Sequence, residues 1–447
     1  MSANIKPGYS APLFDYRSYE VKEENVDELV ARITKALVEL EDKEGMLGPV
    51  MPNVRKVGKL NHYVNISVIN FISREFMNFY NNIHKYTIED GRVIDSTSWK
   101  FWEWQQAIGL FGLFNYYNLK IAQNPSSPEG AKTLKILKDW YTARAEEGGT
   151  TKNINSMAVL LTLASLMEVE YERGGIFTPE EKKLYEGWID EWAEWAYHDC
   201  PRTEEGIFQH ITFRLENKNQ VWDDTLMMTV LPLAKIGKLL NRPQYIEEAK
   251  FQSIQHAQYL MDATTGLWNH GFEFDGQGGG HEWGHIAWAR GNCWITIAIP
   301  IFLDMIQLSP SDSVYRVLKS VLHRQLDALV KLQDDETGLW RTLPLDKTSY
   351  VETSASAGFV AGIFIGVRTG LLEETKYLLT AVSGLKACIA QVKVNGEVQN
   401  VSKGTPISDD PNFYKDMIKM TVGFGQALPI MALGEWLRYE KAKSKKA

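Results

Sequence analysis

Two adjacent aspartates, Asp223 and Asp224, are the acidic residues best placed for proton transfer in this sequence. They follow Trp222 and precede an apolar run that is rich in methionine. A carboxyl group among such side chains is poorly hydrated, which raises its pKa toward the range useful for acid–base catalysis. Successive helical residues point about 100° apart, so we expect one aspartate to be structural and the other catalytic. Asp224, which shares a helical face with Met228 and Leu231, is the predicted catalytic residue; the alternative is that both acids only stabilise a helix N-terminus.

Histidine, tryptophan and arginine residues precede other apolar segments. His210 and His270 each follow a turn that contains glycine, and these equivalent positions suggest a shared role. Arg290 lies between Trp288 and Trp294, and its planar guanidinium group could clamp a carboxylate. Each of these residues also has a structural interpretation. The histidines could be hydrogen-bonded loop residues, and the arginine could form an ion pair that holds a loop.

The segment His281-Glu282-Trp283-Gly284-His285 matches the HExxH pattern of zinc peptidases. That pattern binds zinc only when both histidines lie on one face of a regular helix. Three glycines precede the segment and Gly284 lies inside it, which disfavours a helix, and no third ligand follows at peptidase spacing. The sequence therefore predicts a glycine-rich loop here, with no metal site and no cofactor.

Six strongly apolar segments alternate with amphipathic ones along the chain. The apolar segments begin near Trp99, Asn155, Val221, Ile286, Ala355 and Met420. The amphipathic segments begin near Val26, Lys132, Thr178, Arg242, Ser311 and Glu374. Helices that are apolar all round belong in an inner layer, and one-faced helices belong in an outer layer.

This repeat predicts an all-α fold, an (α/α)6 barrel of six helical hairpins in one domain over residues 1–447. Residues 62–86 are left as an unassigned insertion. Parallel inner helices would place all the loops before them at one end of the barrel. Those loops carry the polar and aromatic candidates described above, together with Trp104.

Composition and charge limit the partners and the compartment. The chain has 447 residues, 23% of them charged, a net charge of −8 and no basic stripe, so a nucleic-acid partner is not expected. The start of the chain has no apolar signal region, and the longest apolar stretch is interrupted by Pro300 and Asp304, so no membrane span is expected. Three widely spaced cysteines favour a reducing compartment, and we predict a cytoplasmic protein.

Several motifs resemble one enzyme family. Residues 221–228, read with Trp288-Ala289-Arg290 and Trp294, are similar to the unsaturated rhamnogalacturonyl hydrolases, glycoside hydrolase family 105. Those enzymes are related to the unsaturated glucuronyl hydrolases of family 88. Residues 202–210, 349–354 and 423–426 also resemble the family, and the resemblance extends from about Trp99 to the C-terminus.

The resemblance implies an (α/α)6 barrel that hydrates the C4=C5 double bond of a terminal unsaturated uronic acid and so releases that sugar. One carboxyl group then serves as both acid and base. The implied catalytic residue is Asp224, and the implied sugar contacts are Trp104, His210, His270, Trp288, Arg290 and Trp294. Many members carry a second aspartate before the second inner helix, where this chain has Lys152-Asn153-Ile154-Asn155. The expected partner is an unsaturated oligosaccharide, and the protein could be a monomer or a homodimer.

Three other functions remain open from the sequence. A sugar epimerase or isomerase could use His210 and His270 as its acid–base pair. A zinc peptidase would use His281, Glu282 and His285. A non-catalytic glycan-binding protein would need no acid at all.

Overall fold

The computed structural model describes residues 9–41, 46–47, 83–87, 93–213 and 215–444. The chain forms two compact units. The first unit comprises Met1–Leu40, Ala257–Gly271 and Glu282–Ala447, and the second comprises Glu41–His256 and Phe272–His281. Of the unassigned insertion, residues 62–82 lie outside the described residues, and its last four residues belong to strand Ile83–Thr87. The expectation of one domain over residues 1–447 stays a prediction.

Helices alternate along the described chain as the repeat predicted. Their bounds are α1 (Glu23–Val38), α2 (Trp104–Gln123), α3 (Pro128–Glu146), α4 (Ile154–Met157), α5 (Val159–Arg173), α6 (Pro179–Glu194), α7 (Leu231–Leu239), α8 (Pro243–Leu260), α9 (Ala289–Ile306), α10 (Ser313–Leu332), α11 (Thr353–Arg368), α12 (Glu374–Ile389), α13 (Pro411–Lys415) and α14 (Gly423–Ser444). Single π-helical turns, Trp195–Asp199 and Leu226–Val230, follow α6 and precede α7. A short 3₁₀ turn spans Tyr16–Ser18.

The strands are short and lie in the segments that connect the helices. They are β1 (Met46–Leu47), β2 (Ile83–Thr87), β3 (Val93–Asp95), β4 (Gln220–Trp222), β5 (Gly271–Phe274), β6 (Gly280–Glu282), β7 (Trp340–Arg341) and β8 (Val351–Glu352). The sheet orders are β1-β2-β3, β4-β5-β6 and β7-β8. β1 runs parallel to β2, whereas β2 and β3, and likewise β7 and β8, are antiparallel.

Helix burial follows the two predicted types. All fourteen residues of α11 from Thr353 to Gly366 are buried. By contrast, α1 buries one face through Val26, Leu29, Val30, Ile33, Thr34 and Leu37. The predicted amphipathic helix near Thr178 begins with a capping box, in which Thr178 and Glu181 are reciprocal partners. Helix α1 begins at Glu23, three residues before the predicted start near Val26, and has no side-chain cap.

In the first unit, α11 packs directly against α9. A glycine in α11 allows the two helix backbones to approach closely. A Cβ atom on Gly362 would lie 2.2 Å from the carbonyl oxygen of Thr296. α9 is also the one helix among the described residues with the length and apolar composition of a membrane span. Because 78% of it is buried inside the protein, α9 has the burial of a core helix.

In the second unit, α2 packs on α3 and α5, and α5 packs on α7. Tryptophans join these helices to the outer helix α6. Trp102 stacks on Trp192 with ring centroids 5.6 Å apart and meets Trp140 at 5.9 Å. Part of the high aromatic content is therefore used for packing.

A pair of glycine substitutions tests the α9–α11 contact. We expect Gly362→Ala to lower the free energy of unfolding by about 1–3 kcal/mol, because the new methyl group overpacks a backbone carbonyl. Gly434→Ala is the control. It lies in helix α14, its Cβ would meet nothing within 4 Å, and it should stabilise the protein by up to about 1 kcal/mol. Urea unfolding measures both, and equal effects would contradict the packing described.

Candidate active site

In the second unit, the two aspartates lie in a turn between β4 and the π-helical segment Leu226–Val230. The carbonyl group of Asp224 accepts hydrogen bonds from the amides of Met227 and Met228, at 3.1 and 3.0 Å. Carboxylate oxygens of Asp223 and Asp224 lie within 4.8 Å of each other. The pair precedes the helix instead of lying in its first turn. The angle between successive helical side chains, from which the sequence predicted different roles for the two aspartates, therefore does not apply.

The two aspartates differ in burial. Asp223 is fully buried, whereas Asp224 is half-buried. Neither oxygen of Asp223 accepts a hydrogen bond of normal geometry from a described residue. Burial, and next the charge of Asp224, raise the pKa of Asp223 well above its usual value. The structure thus shows a raised pKa for Asp223, and the raised pKa that the sequence predicts for Asp224 stays a prediction.

His210 is held against the same turn. Its Nδ1 lies 2.9 Å from Oγ1 of Thr225, the residue that follows Asp224. Its ring stacks on Trp222, with centroids 4.3 Å apart and an angle of 6°. The structure thus brings His210 and the aspartate pair together, through contacts on both sides of the pair.

The loop without the second aspartate has a structural role. The side chain of Asn153 accepts hydrogen bonds from the amides of Asn155 and Ser156, at 2.9 and 3.0 Å, and Ser156 Oγ accepts from the Asn153 amide at 3.0 Å. The result is a full capping box on α4. The carbonyl of Ile154 accepts from Thr229 Oγ1 at 2.8 Å, which ties this loop to the π-helical turn after the aspartates.

Glu103 is a carboxyl group that sequence reasoning missed. It caps α2, where its Oε2 accepts the amide of Trp104 at 3.0 Å. Burial raises its pKa to about 8. Trp104 itself is half-buried at the first position of α2. An acid before a predicted inner helix was the available signal, although such residues usually cap helices.

In the first unit, His270 lies among aromatic side chains. Its Nδ1 lies 2.7 Å from the hydroxyl of Tyr414, and its ring centroid is 4.4 Å from that of Trp288. The hydroxyl of Tyr350 donates to the carbonyl of Tyr414 at 3.0 Å. His270 and Trp294 are both fully buried.

Arg290 is fully buried, and both of its terminal amino groups are bound. Its Nη1 donates to Ser402 Oγ at 2.7 Å and meets Glu352 Oε1 at 3.4 Å. Its Nη2 donates to the Lys403 carbonyl at 2.8 Å and to Thr405 Oγ1 at 3.1 Å. The guanidinium also lies 4.5 Å from the ring centroids of Trp288 and Phe424. The ion pair that the sequence left open as an alternative is therefore present.

The HExxH segment is not helical. Its first two residues, His281 and Glu282, end strand β6, and Gly284 and His285 have φ values of 63° and 50°. The side chain of His285 is 79% exposed. The expectation that this segment is not helical is confirmed, although its first residues form a strand instead of the predicted loop, and the geometry that a zinc peptidase requires is not formed.

Known proteins resemble this chain over most of its length. Residues 77–440 match the family model described as Glycosyl Hydrolase Family 88. The unsaturated rhamnogalacturonyl hydrolase YesR of Bacillus subtilis is 31% identical over 343 residues, which cover 76% of this chain and 91% of YesR.

Solved structures agree with these sequence matches. A possible member of family GH105 from Salmonella enterica serovar Paratyphi A is 37% identical and superposes with a TM-score of 0.78, covering 97% of this chain and 99% of that one. A possible GH105 member from Klebsiella pneumoniae is also 37% identical, with a TM-score of 0.77 and coverage of 98% and 99%. An unsaturated glucuronyl hydrolase specific for heparin shares the fold at 14% identity and a TM-score of 0.61. The predicted all-α, six-hairpin (α/α)6 fold is confirmed.

The raised pKa of Asp223 makes the stability of the protein depend on pH. A carboxyl group with a raised pKa in the folded state stabilises the fold below its unfolded pKa, and this contribution is lost as pH rises toward the folded pKa. Stability should therefore fall above about pH 4, by up to about 1.4 kcal/mol per pH unit. We expect Asp223→Asn to reduce this slope. A residual slope should remain, because burial raises the pKa of Glu103 to about 8. Urea unfolding between about pH 5 and pH 8 measures the slope, and an unchanged slope would contradict this assignment.

The contacts of Arg290 predict a large structural effect of its removal. Arg290→Met should lower the free energy of unfolding by about 3–5 kcal/mol, because it leaves Glu352 buried without its cation. Lys135→Met is the control, since the Lys135–Asp139 ion pair is exposed on both sides and should contribute under about 1 kcal/mol. If the two variants unfold alike, the structural role of Arg290 is wrong.

Proposed function

Because the chain belongs to Glycosyl Hydrolase Family 88 and is a glycoside hydrolase, we propose that it releases a terminal 4,5-unsaturated uronic acid from oligosaccharides made by polysaccharide lyases. The reaction is hydration of the C4=C5 double bond. The observation that carries this proposal is the aspartate pair, in which one buried carboxyl group lies beside one accessible carboxyl group.

The proposed reaction needs one proton donor and one water molecule. Asp224 donates a proton to C4, and water adds to C5 while its proton passes to the Asp224 carboxylate. The resulting C5 hemiketal opens by breaking the bond between C5 and the ring oxygen. C1 is then a hemiacetal, which releases the neighbouring sugar as an alcohol. A second carboxylate at the anomeric carbon, as in ordinary glycosidases, is not required.

The aspartate pair supports this use of a single acid. Two carboxyl groups this close titrate as a pair, because the charge of one disfavours the charge of the other. The pair therefore retains a proton at a pH at which an isolated aspartate would have lost it. Since only Asp224 is accessible, the proton reaches a substrate through Asp224. His210, fixed through Thr225, lies beside this residue.

Aromatic and polar residues are proposed to contact the sugar, namely Trp104, His210, His270, Trp288 and Trp294. Flat rings such as those of Trp104 and Trp288 suit the apolar face of a pyranose. Arg290 is proposed to act indirectly, by holding Trp288 and the loop at residues 402–405.

The substrate panel follows from the named relatives. YesR is named for rhamnogalacturonyl substrates, and a relative from Alteromonas is named an unsaturated 3S-rhamnoglycuronyl hydrolase. We propose unsaturated galacturonyl-rhamnose oligosaccharides as the first class to test. Unsaturated glucuronyl products of glycosaminoglycan lyases form the comparison class.

Ultraviolet absorbance of the unsaturated uronate tests the function directly. Incubation should remove the absorbance with at least one substrate class and release the neighbouring sugar. Asp224→Asn should lower kcat by at least about 10³-fold while the fold survives, since it removes the proton donor. Asp223→Asn should be milder and should shift the alkaline limb of the rate profile to lower pH, because the pair then no longer retains a shared proton. Persistent absorbance with every substrate would refute the function, and equal losses in both variants would refute the assignment to Asp224.

We further infer that the enzyme works in the cytoplasm. Cys200 and Cys388 are buried free thiols, and burial raises the pKa of the Cys200 thiol to about 12. Free cysteines are usual in a reducing compartment. Fractionation of the native host tests this inference, and recovery outside the cytoplasm would refute it.

A further inference from the structure

Lys419, in the first unit, is a half-buried lysine without a carboxylate partner. No acidic side chain among the described residues forms an ion pair with its ammonium group. Nζ instead lies 4.2 Å from the ring centroid of Tyr350. Its backbone pairs with that of Ser402 in an isolated antiparallel bridge. A lysine in such a position loses hydration, and burial lowers its pKa, an effect that the charge of Glu352 offsets only in part.

The nearby buried carboxylate is already bound. Glu352 is 1% exposed and accepts hydrogen bonds from Ser354 Oγ at 2.8 Å, from the Ala355 amide at 2.6 Å and from the Ser402 amide at 3.0 Å. Its ion pair is with Arg290, at 3.4 Å. Arg290, Glu352 and Lys419, which we call the charge cluster, thus contain two cations and one carboxylate. The cluster has one positive charge that no described acid neutralises.

The charge cluster is joined to the sugar-binding candidates of the same unit. The ring of Tyr350 contacts the ammonium group of Lys419. The Tyr350 hydroxyl donates a hydrogen bond to the Tyr414 carbonyl, and the hydroxyl of Tyr414 lies 2.7 Å from Nδ1 of His270. Ser402, whose backbone pairs with Lys419, accepts a hydrogen bond from Arg290 at 2.7 Å. Two short chains of contacts therefore connect Lys419 with His270 and with Arg290.

We propose that Lys419 binds the carboxylate of the uronyl group and so selects an anionic sugar. This inference rests on the proposed function and names a specificity residue for it. The clamp that the sequence suggested for Arg290 is assigned to Lys419, because both amino groups of Arg290 are engaged within the protein. A lysine presents three donors on a flexible stem, and a carboxylate would supply the missing counter-charge. The alternative is a purely structural contact of Lys419 with the Tyr350 ring.

Kinetics with matched acid and ester substrates separate the two roles. We expect Lys419→Met to raise KM for the uronate substrate by about 10–100-fold, the size of a charge-assisted hydrogen bond, with a much smaller change in kcat. For the wild-type enzyme, KM should rise by a similar factor when the substrate is the methyl ester. For Lys419→Met, KM should be nearly the same for the acid and the ester. Lys419→Arg should recover part of the loss. The control is Lys415→Met, which removes a lysine paired with Asp346 and should keep the wild-type preference.

The outcomes are distinct. If Lys419→Met keeps the wild-type preference for acid over ester, the proposal is overturned and Lys419 is structural. Lys419→Gln provides the same test should the methionine variant not fold.

A binding measurement separates failure of this proposal from failure of the proposed function. Tryptophan fluorescence titrated with galacturonate and with galactose needs no turnover. Wild-type protein should bind galacturonate more tightly, and Lys419→Met should remove that difference. If no unsaturated substrate is cleaved but this difference is found, the proposed function is wrong and the anion site stands. Equal binding of both sugars by wild-type protein would overturn the anion site.

Discussion

Ionising two adjacent carboxyl groups, one of them fully buried, carries both a desolvation penalty and a charge-repulsion penalty, and the proposed chemistry depends on this constraint. Asp223 and Asp224 bring their oxygens within 4.8 Å of each other. Burial and the neighbouring charge both disfavour ionisation of Asp223. The surroundings keep this geometry in place, because the Asp224 carbonyl is bound by two helix amides and Thr225 is bound by His210. A pair held in this way keeps a proton available without a second catalytic carboxylate elsewhere.

The same constraint explains the arrangement in the first unit. Glu352 is as buried as Asp223, yet it is matched by Arg290 and by three hydrogen bonds. Such an ion pair and hydrogen bonds offset the desolvation penalty of a buried charge, but they also leave the charge engaged within the protein. Among the described residues, Asp223 has no such partner and no acidic side chain pairs with Lys419.

The fold could be predicted from the sequence because a long helical repeat is a strong signal. Both the apolar and the amphipathic helices were anticipated, and most of their starts lie within a few residues of the structure, but the segment predicted from Val221 becomes α-helical only at Leu231. The helix starts were less certain, since Asp223 and Asp224 precede a π-helical turn that periodicity cannot distinguish from a regular helix. Hydrophobic periodicity also could not predict the strand that ends with His281 and Glu282, although the neighbouring glycines were enough to exclude a helix.

The candidate site was only partly predictable. Asp224, Trp104 and the two histidines follow from local motifs, and their roles remain predictions. The role of Arg290 depends on partners 62 or more residues away in the chain, Glu352 and Ser402, and that of Lys419 depends on the similarly distant Tyr350. No local pattern could show that the arginine is engaged and the lysine is not. Asn153 shows the same limit, because its capping box becomes visible only when Ser156 and its amide are placed.

Isotope incorporation tests the central claim of a single carboxyl group that protonates a double bond. The reaction is run in D₂O, and the released sugar acid is examined by proton NMR during the first turnovers. If Asp224 delivers the proton, one deuterium should appear at C4 in a single stereochemical position. Release of the neighbouring sugar before any deuterium enters C4, or deuterium spread over both positions from the first turnovers, would show that the enzyme attacks the anomeric bond and that the double bond reacts later in solution.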